Sequence, residues 1–141
     1  MILNTKFHGT HEYKDEDIIT FKKGIPGFED LQKFIIFPLE ENDVFNVLHS
    51  IEDEAIGLIV FSPFEIFNDY NVELKEDTLE DLKIEKEEDV LILNTISLNS
   101  SVKKITTNLK APIVVNIRQR LGEQIILEDE KYLIKHPLFK E

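Results

Sequence analysis

Apolar residues in this chain fall mostly at every second position or in runs too short for a helix of any length. Ile19 and Phe21 alternate, Phe45, Val47 and Ile51 fall at even offsets, and Ile113, Val115 and Ile117 share one face. A period of two belongs to a strand with one buried face. "FIIFPL" (34–39) and "IGLIVFSP" (56–63) are continuous runs rich in Ile, Val and Phe and closed by proline, which suits strands covered on both faces. Pro63 ends its run because proline has no N–H to give a ladder. "DVLILNTISL" (89–98) reads as one long, bent strand, buried on both faces in its first half and on one in its second. "GEQIILED" (122–129) follows the 113–118 strand after a loop around Arg120, Leu121 and Gly122, a spacing short enough for a hairpin.

One segment has helical spacing. In "EDTLEDLKI" (76–84), Thr78 and Asp81 stand at capping-box distance and Leu79 and Leu82 lie three apart, which predicts about two turns of helix. A second short turn is expected around Phe64 to Phe67, directly after Pro63. With about eight strand candidates at intervals of roughly 8–12 residues, the pattern argues for a small antiparallel barrel or sandwich, and the expected fold is mainly β: a small antiparallel β-barrel-like single domain over residues 1–141, with one or two short helices.

Composition limits the chemistry. The chain has ten Phe and no Trp, so its core is built from Phe, Ile, Leu and Val, and with no cysteine it has neither disulfides nor a thiolate metal site. No apolar run approaches the roughly 18–20 residues of a membrane-spanning helix, and "MILNTKFHGT" has no basic or sustained apolar stretch, so a soluble, cytoplasmic protein with no membrane partner is expected. A net charge of −12 repels phosphate backbones, which argues against direct nucleic-acid binding and favours a basic partner. The stretch 73–89 holds nine acidic residues and three lysines and so carries half of that charge, either as a solvated face or as a functional one.

"KKGIPGFED" (22–30) looks at first like a phosphate-cradling loop, but Pro26 lacks an N–H and Glu29 and Asp30 repel phosphate. Pro26 followed by Gly27 instead meets the demand of a type II turn, so Gly24, Pro26 and Gly27 are read as a structural corner. His8, His11 and Glu12 have a spacing that on a tight turn could hold a metal, yet Gly9 lies between the histidines and no third distant ligand is evident, so an exposed loop is expected there. His49 lies on the Phe45/Val47 face and reads as a hydrogen-bonded, partly buried histidine. No G-x-S-x-G elbow and no calcium loop occur, and most of the carboxylates lie in charge runs that read as solvated. No cofactor, metal or catalytic residue is assigned. "SPFEIFNDY" (62–70) gathers Phe64, Phe67 and Tyr70 in a loop, where aromatics either cap the barrel or anchor a partner.

Taken together, "ITFKKGIPGFED" (19–30), "FNVLHSIED" (45–53), "VFSPFEIFNDY" (60–70), "TTNLKAPIVVN" (106–116), "GEQIIL" (122–127) and "KYLIKHPL" (131–138) resemble, in order and spacing, the flagellar assembly factor FliW family. The resemblance covers nearly the whole chain. It implies a cytoplasmic β-barrel-like protein without catalytic activity, which binds flagellin and, alternatively, the RNA-binding translational repressor CsrA, so that flagellin messenger is translated when free FliW captures CsrA. A monomer when free is expected. Among the matching motif positions, Phe64, Tyr70 and the 108–112 loop, including Asn108, Leu109, Ala111 and Pro112, are expected to contain partner contacts. Held against an RNA-binding partner, the acidic residues Glu76, Asp77, Glu80, Asp81, Glu87 and Glu88 would repel RNA even without covering its site.

Two readings of another class remain. One is a small acidic barrel that binds a hydrophobic small molecule in its mouth under a lid of Phe64, Phe67 and Tyr70, for which a filled interior would be contrary evidence. The other is a metal-assisted hydrolase using His8, His11 and Glu12.

Overall fold

The structure is a computed structural model and describes residues 1–40, 44–98, 100–101 and 104–138. A hairpin comes first, β1 (Ile2–Asn4) with β2 (Thr10–Glu12). β3 (Ile19–Thr20), β4 (Lys33–Pro38), β5 (Phe45–Ser50) and β6 (Gly57–Phe61) follow in antiparallel succession. After one helix, α1 (Glu76–Asp81), come β7 (Val90–Ser97), β8 (Thr106–Thr107), β9 (Ile113–Asn116), β10 (Leu121–Gln124) and β11 (His136–Pro137). The neighbours β7-β6-β5-β4-β3-β10-β9 form a chain of seven strands, and pairing of β7 with β9 closes it into a barrel.

The barrel is antiparallel, as the pattern of strands predicts, except at one contact. β3 runs parallel to β10, with Leu121 opposite Thr20. The reason is parity: a closed ring with an odd number of strands cannot alternate direction all the way round, so at least one neighbouring pair must be parallel. Here it is the shortest contact in the ring, and the Thr20 N–H to Arg120 carbonyl bond of 2.9 Å helps to hold it.

Side-chain alternation explains why the barrel strands are so apolar. Phe34 and Ile36, Leu58 and Val60, Leu91 and Leu93, and Ile113 and Val115 join Ile19, Phe21 and Leu48 in the interior cluster. The intervening residues face outwards, and they are buried too. Ile35, Phe37 and Val47 lie in a cluster with Leu3 of the β1–β2 hairpin, while Ile92 and Val114 lie with Tyr70, Leu82, Leu127 and Tyr132 from the later loops. Strands sandwiched in this way must be apolar at successive positions. The interior is filled, with Phe21 and Phe34 fully buried and packed edge to face at 5.3 Å between centroids.

Two details differ from the expectations, while the turn expected after Pro63 forms. Helix α1 starts at Glu76 with Lys75 as its N-cap residue, so Thr78 is not a cap but a buried residue inside the helix, and the Thr78/Asp81 capping box does not form. Glu76 and Asp77 then occupy the first turn, where acidic side chains favour the helix dipole. The regular ladder of β10 stops at Gln124, although the Ile125 and Leu127 N–H groups still reach the Pro112 and Lys110 carbonyls at 3.0 and 2.7 Å. The short turn after Pro63 is present as a single 3-10 turn, Pro63–Glu65.

Candidate functional site

β7 pairs with β9 through Leu93 and Ile113 and with β8 through Ile96 and Thr107, so five residues, 108–112, stand opposite only Asn94 and Thr95. The surplus forms a bulged loop whose polar groups need partners. Asn108 supplies one, its Oδ1 accepting from the Lys110 and Ala111 N–H groups at 3.1 and 2.9 Å. Beneath the loop, Asn94 Nδ2 donates to the Asn108 carbonyl at 2.8 Å and to the Tyr70 hydroxyl at 3.1 Å, and that hydroxyl donates to the Leu109 carbonyl at 2.7 Å. Burial pushes the Tyr70 phenol up to about 12, against the opposing hydrogen bond from Asn94 and with a small addition from Tyr132.

The candidate contact residues therefore divide. Tyr70, Leu109 and Pro112 are buried and shape the loop from within, whereas Asn108 and Ala111 are half-buried and Phe64, 44% exposed, offers a broad apolar surface. Phe64 leans on Tyr70 with ring centroids 6.0 Å apart. Phe67 and Tyr70 pack in outer clusters separate from the interior one.

All six acidic residues of the candidate RNA-repelling face, Glu76, Asp77, Glu80, Asp81, Glu87 and Glu88, are exposed. Two are partly neutralised: Asp81 by Lys23 at 3.0 Å, and Glu88 by Lys86 at 3.9 Å. Lys23 also binds Glu123 at 2.8 Å, and hydrogen bonds to Glu123 and Asp81 hold its ammonium well above the ordinary lysine range. Lys75 and Glu128 pair in the same manner, the lysine raised and the glutamate lowered by their mutual hydrogen bond. The helix is fixed to the barrel by Asn116, a buried side chain whose Nδ2 donates to the Leu82 and Lys83 carbonyls at 2.8 and 3.1 Å.

The same acidic stretch builds something its sequence conceals. Val72, Leu74, Leu79, Ile84 and Val90 are all half-buried and, with exposed Phe64, line an open groove of about 800 Å³. Its rim carries Glu73, Glu85, Lys86 and Glu87. Only the alternation of Val72 and Leu74 and the spacing of Leu79 from Leu82 hinted at an apolar side in this charge run.

In "GIPGFED", the Phe28 N–H donates to the Ile25 carbonyl at 2.7 Å and Gly27 has φ +92°, the left-handed conformation that the third position of a type II turn requires. Gly24 has φ +68°, and a Cβ there would lie 2.5 Å from the Glu29 carbonyl oxygen. His8 and His11 lie at the β1–β2 hairpin. His11 stacks on Phe37 at 3.6 Å between centroids and its Nε2 is 2.6 Å from the His8 carbonyl oxygen. His49 is fully buried, with Nδ1 2.8 Å from the Ser50 carbonyl oxygen. Burial, then the neighbouring His49 and His11, lower the pKa of His8. Among the described residues no three His, Asp or Glu side chains converge to hold a metal ion, so His8, His11 and Glu12 are not gathered into a centre.

Also among the described residues, no helix is long and apolar enough to cross a membrane. A family model described as "FliW protein" matches residues 2–138. A protein named flagellar assembly factor FliW from Clostridium botulinum (strain Okra / Type B1) is 58% identical over 141 residues, covering 100% of this chain and 99% of its own. The protein of the same name from Clostridium novyi (strain NT) is 61% identical with the same coverage. A crystal structure of the flagellar assembly factor FliW superposes with a TM-score of 0.92 at 38% identity, covering 100% of this chain and 99% of that one. By its sequence from end to end and by its barrel, the chain belongs to the FliW family of flagellar assembly factors.

Proposed function

We propose that this chain is a non-enzymatic assembly factor, a single cytoplasmic domain and a monomer when free, that binds flagellin and, alternatively, the translational repressor CsrA. Capture of CsrA relieves repression of flagellin translation, and accumulating flagellin withdraws the chain from CsrA. The observation that carries this reading is the match of residues 2–138 to the family. The exposed acidic face from Glu76 to Glu88 is consistent with it, since a dense negative surface beside an RNA-binding protein weakens phosphate binding by long-range repulsion.

The filled barrel interior disfavours the alternative of a small molecule in the mouth, and among the described residues His8, His11 and Glu12 do not converge as a metal-holding trio, which lends no support to a hydrolase. Calorimetric titration with purified flagellin and with CsrA tests the proposal. Saturable binding of each, with mutual exclusion, is expected; binding of neither would sink it.

A further inference from the structure

The groove edged by the acidic stretch has a composition that selects its occupant. Its floor is apolar side chains contributed by separate parts of the chain: Phe64 from the turn after β6, Val72 and Leu74 from an extended loop, Leu79 from α1, Ile84 from the turn after it and Val90 from β7. Val72, Leu74, Ile84 and Val90 rest on the outer cluster around Tyr70, Leu82 and Ile92, and Phe64 leans on Tyr70, so this part of the floor is backed by packed structure. Exposed apolar surface of this kind, rimmed by polar groups, marks interaction sites.

The rim decides the chemistry. Glu73, Glu85 and Glu87 outnumber Lys86, whose ammonium also lies 3.9 Å from Glu88. An anionic lipid surface, a fatty acid carboxylate or a nucleic acid meets like charge there, whereas lysine or arginine side chains flanking an apolar ridge meet opposite charge. A floor spread across several elements, not drawn out along one ladder, matches the anchors that a helix presents at i, i+3, i+4 and i+7.

We propose that this groove docks a basic amphipathic helical segment of a protein partner, its apolar side on Phe64, Leu79 and Val90 and its cationic flanks against Glu73, Glu85 and Glu87. The inference rests on the reading that this chain works by binding proteins, but not on which proteins those are.

The test uses the full chain and a labelled peptide of leucine and lysine with leucines at i, i+3, i+4 and i+7, followed by fluorescence anisotropy. A scrambled peptide of the same composition controls for bulk charge. The amphipathic peptide is expected to bind at least about tenfold tighter than the scrambled one, and Phe64→Ser with Leu79→Ala is expected to remove about that factor, while Ile126→Ser, at a 72% exposed position outside the groove, leaves it unchanged. Equal binding of both peptides overturns the proposal, as does full affinity in a folded double variant.

Photocrosslinking of the peptide to the unmodified chain guards against a variant that fails to fold: crosslinks within 64–92 support the groove, and crosslinks confined elsewhere overturn it. Flagellin and CsrA are titrated in parallel. Peptide docking in the groove with neither protein bound would remove the proposed function and keep this inference; both proteins bound with the peptide crosslinked elsewhere would do the reverse.

Discussion

The Tyr70 hydroxyl donates to the Leu109 carbonyl oxygen at 2.7 Å, joining residues 39 apart in sequence and tying the loop after β6 to the bulge before β9. Because Asn94 donates to both Tyr70 and Asn108, removing that hydroxyl leaves two buried polar groups short of a partner. Tyr70→Phe is expected to cost about 1–3 kcal/mol and to lower the thermal midpoint by several degrees, roughly 2–4 °C for each kcal/mol in a chain of this size. Differential scanning calorimetry checks it.

Raised by burial, the same phenol adds an alkaline limit. An unfolded tyrosine ionises near pH 10 and the folded one at about 12, so the unfolded state releases its proton first. The contribution of Tyr70 is complete below pH 10 and disappears as the pH rises from 10 to 12. Urea denaturation across that window is expected to show a steeper loss of stability in the natural chain than in Tyr70→Phe.

Glycine substitutions separate backbone strain from overlap. A Cβ at Gly122 would lie 2.5 Å from the Phe21 ring inside the barrel, so Gly122→Ala is expected to cost about 1–3 kcal/mol through overpacking. A Cβ at Gly27 meets nothing within 4 Å, leaving only the strain of its positive φ, about 1–2 kcal/mol. At Gly24 strain and overlap with the Glu29 backbone combine, and Gly24→Ala is expected to be the worse of the two turn variants. Chemical denaturation ranks them.

How far the sequence foretells these features depends on the range of the interactions behind them. The strands around Phe34, Val60 and Val115 were legible because alternation and burial are local signals, and the turn at Pro26 and Gly27 because its backbone demands are. The parallel β3–β10 contact was not, since it follows from the number of strands in the closed ring. Thr78 and Asp81 had the spacing of a cap, but the burial of Thr78 and the acidic first turn place the helix start three residues earlier. The partners of Tyr70 and the groove joining Phe64, Leu79 and Val90 arise only when distant segments pack together.

Charge reversal on the exposed face isolates electrostatics from folding. Replacing Glu80, Glu87 and Glu88 with lysine, and leaving Glu76 and Asp77 to favour the dipole of α1, is expected to shift stability little, because these side chains are exposed and surface ion pairs contribute about 0–1 kcal/mol. It is expected to weaken the antagonism of RNA binding by CsrA, and that antagonism in the natural chain should fall as salt rises. An RNA competition assay at several ionic strengths reads both effects; full antagonism at every salt concentration would exclude a role for the acidic face.

The proposed exchange between partners is tested most directly by titrating flagellin into a mixture of this chain with CsrA, followed by analytical gel filtration. Release of CsrA with formation of a flagellin complex is the predicted result. A complex that holds both partners at once, or a chain that holds neither, would contradict partner exchange as its function.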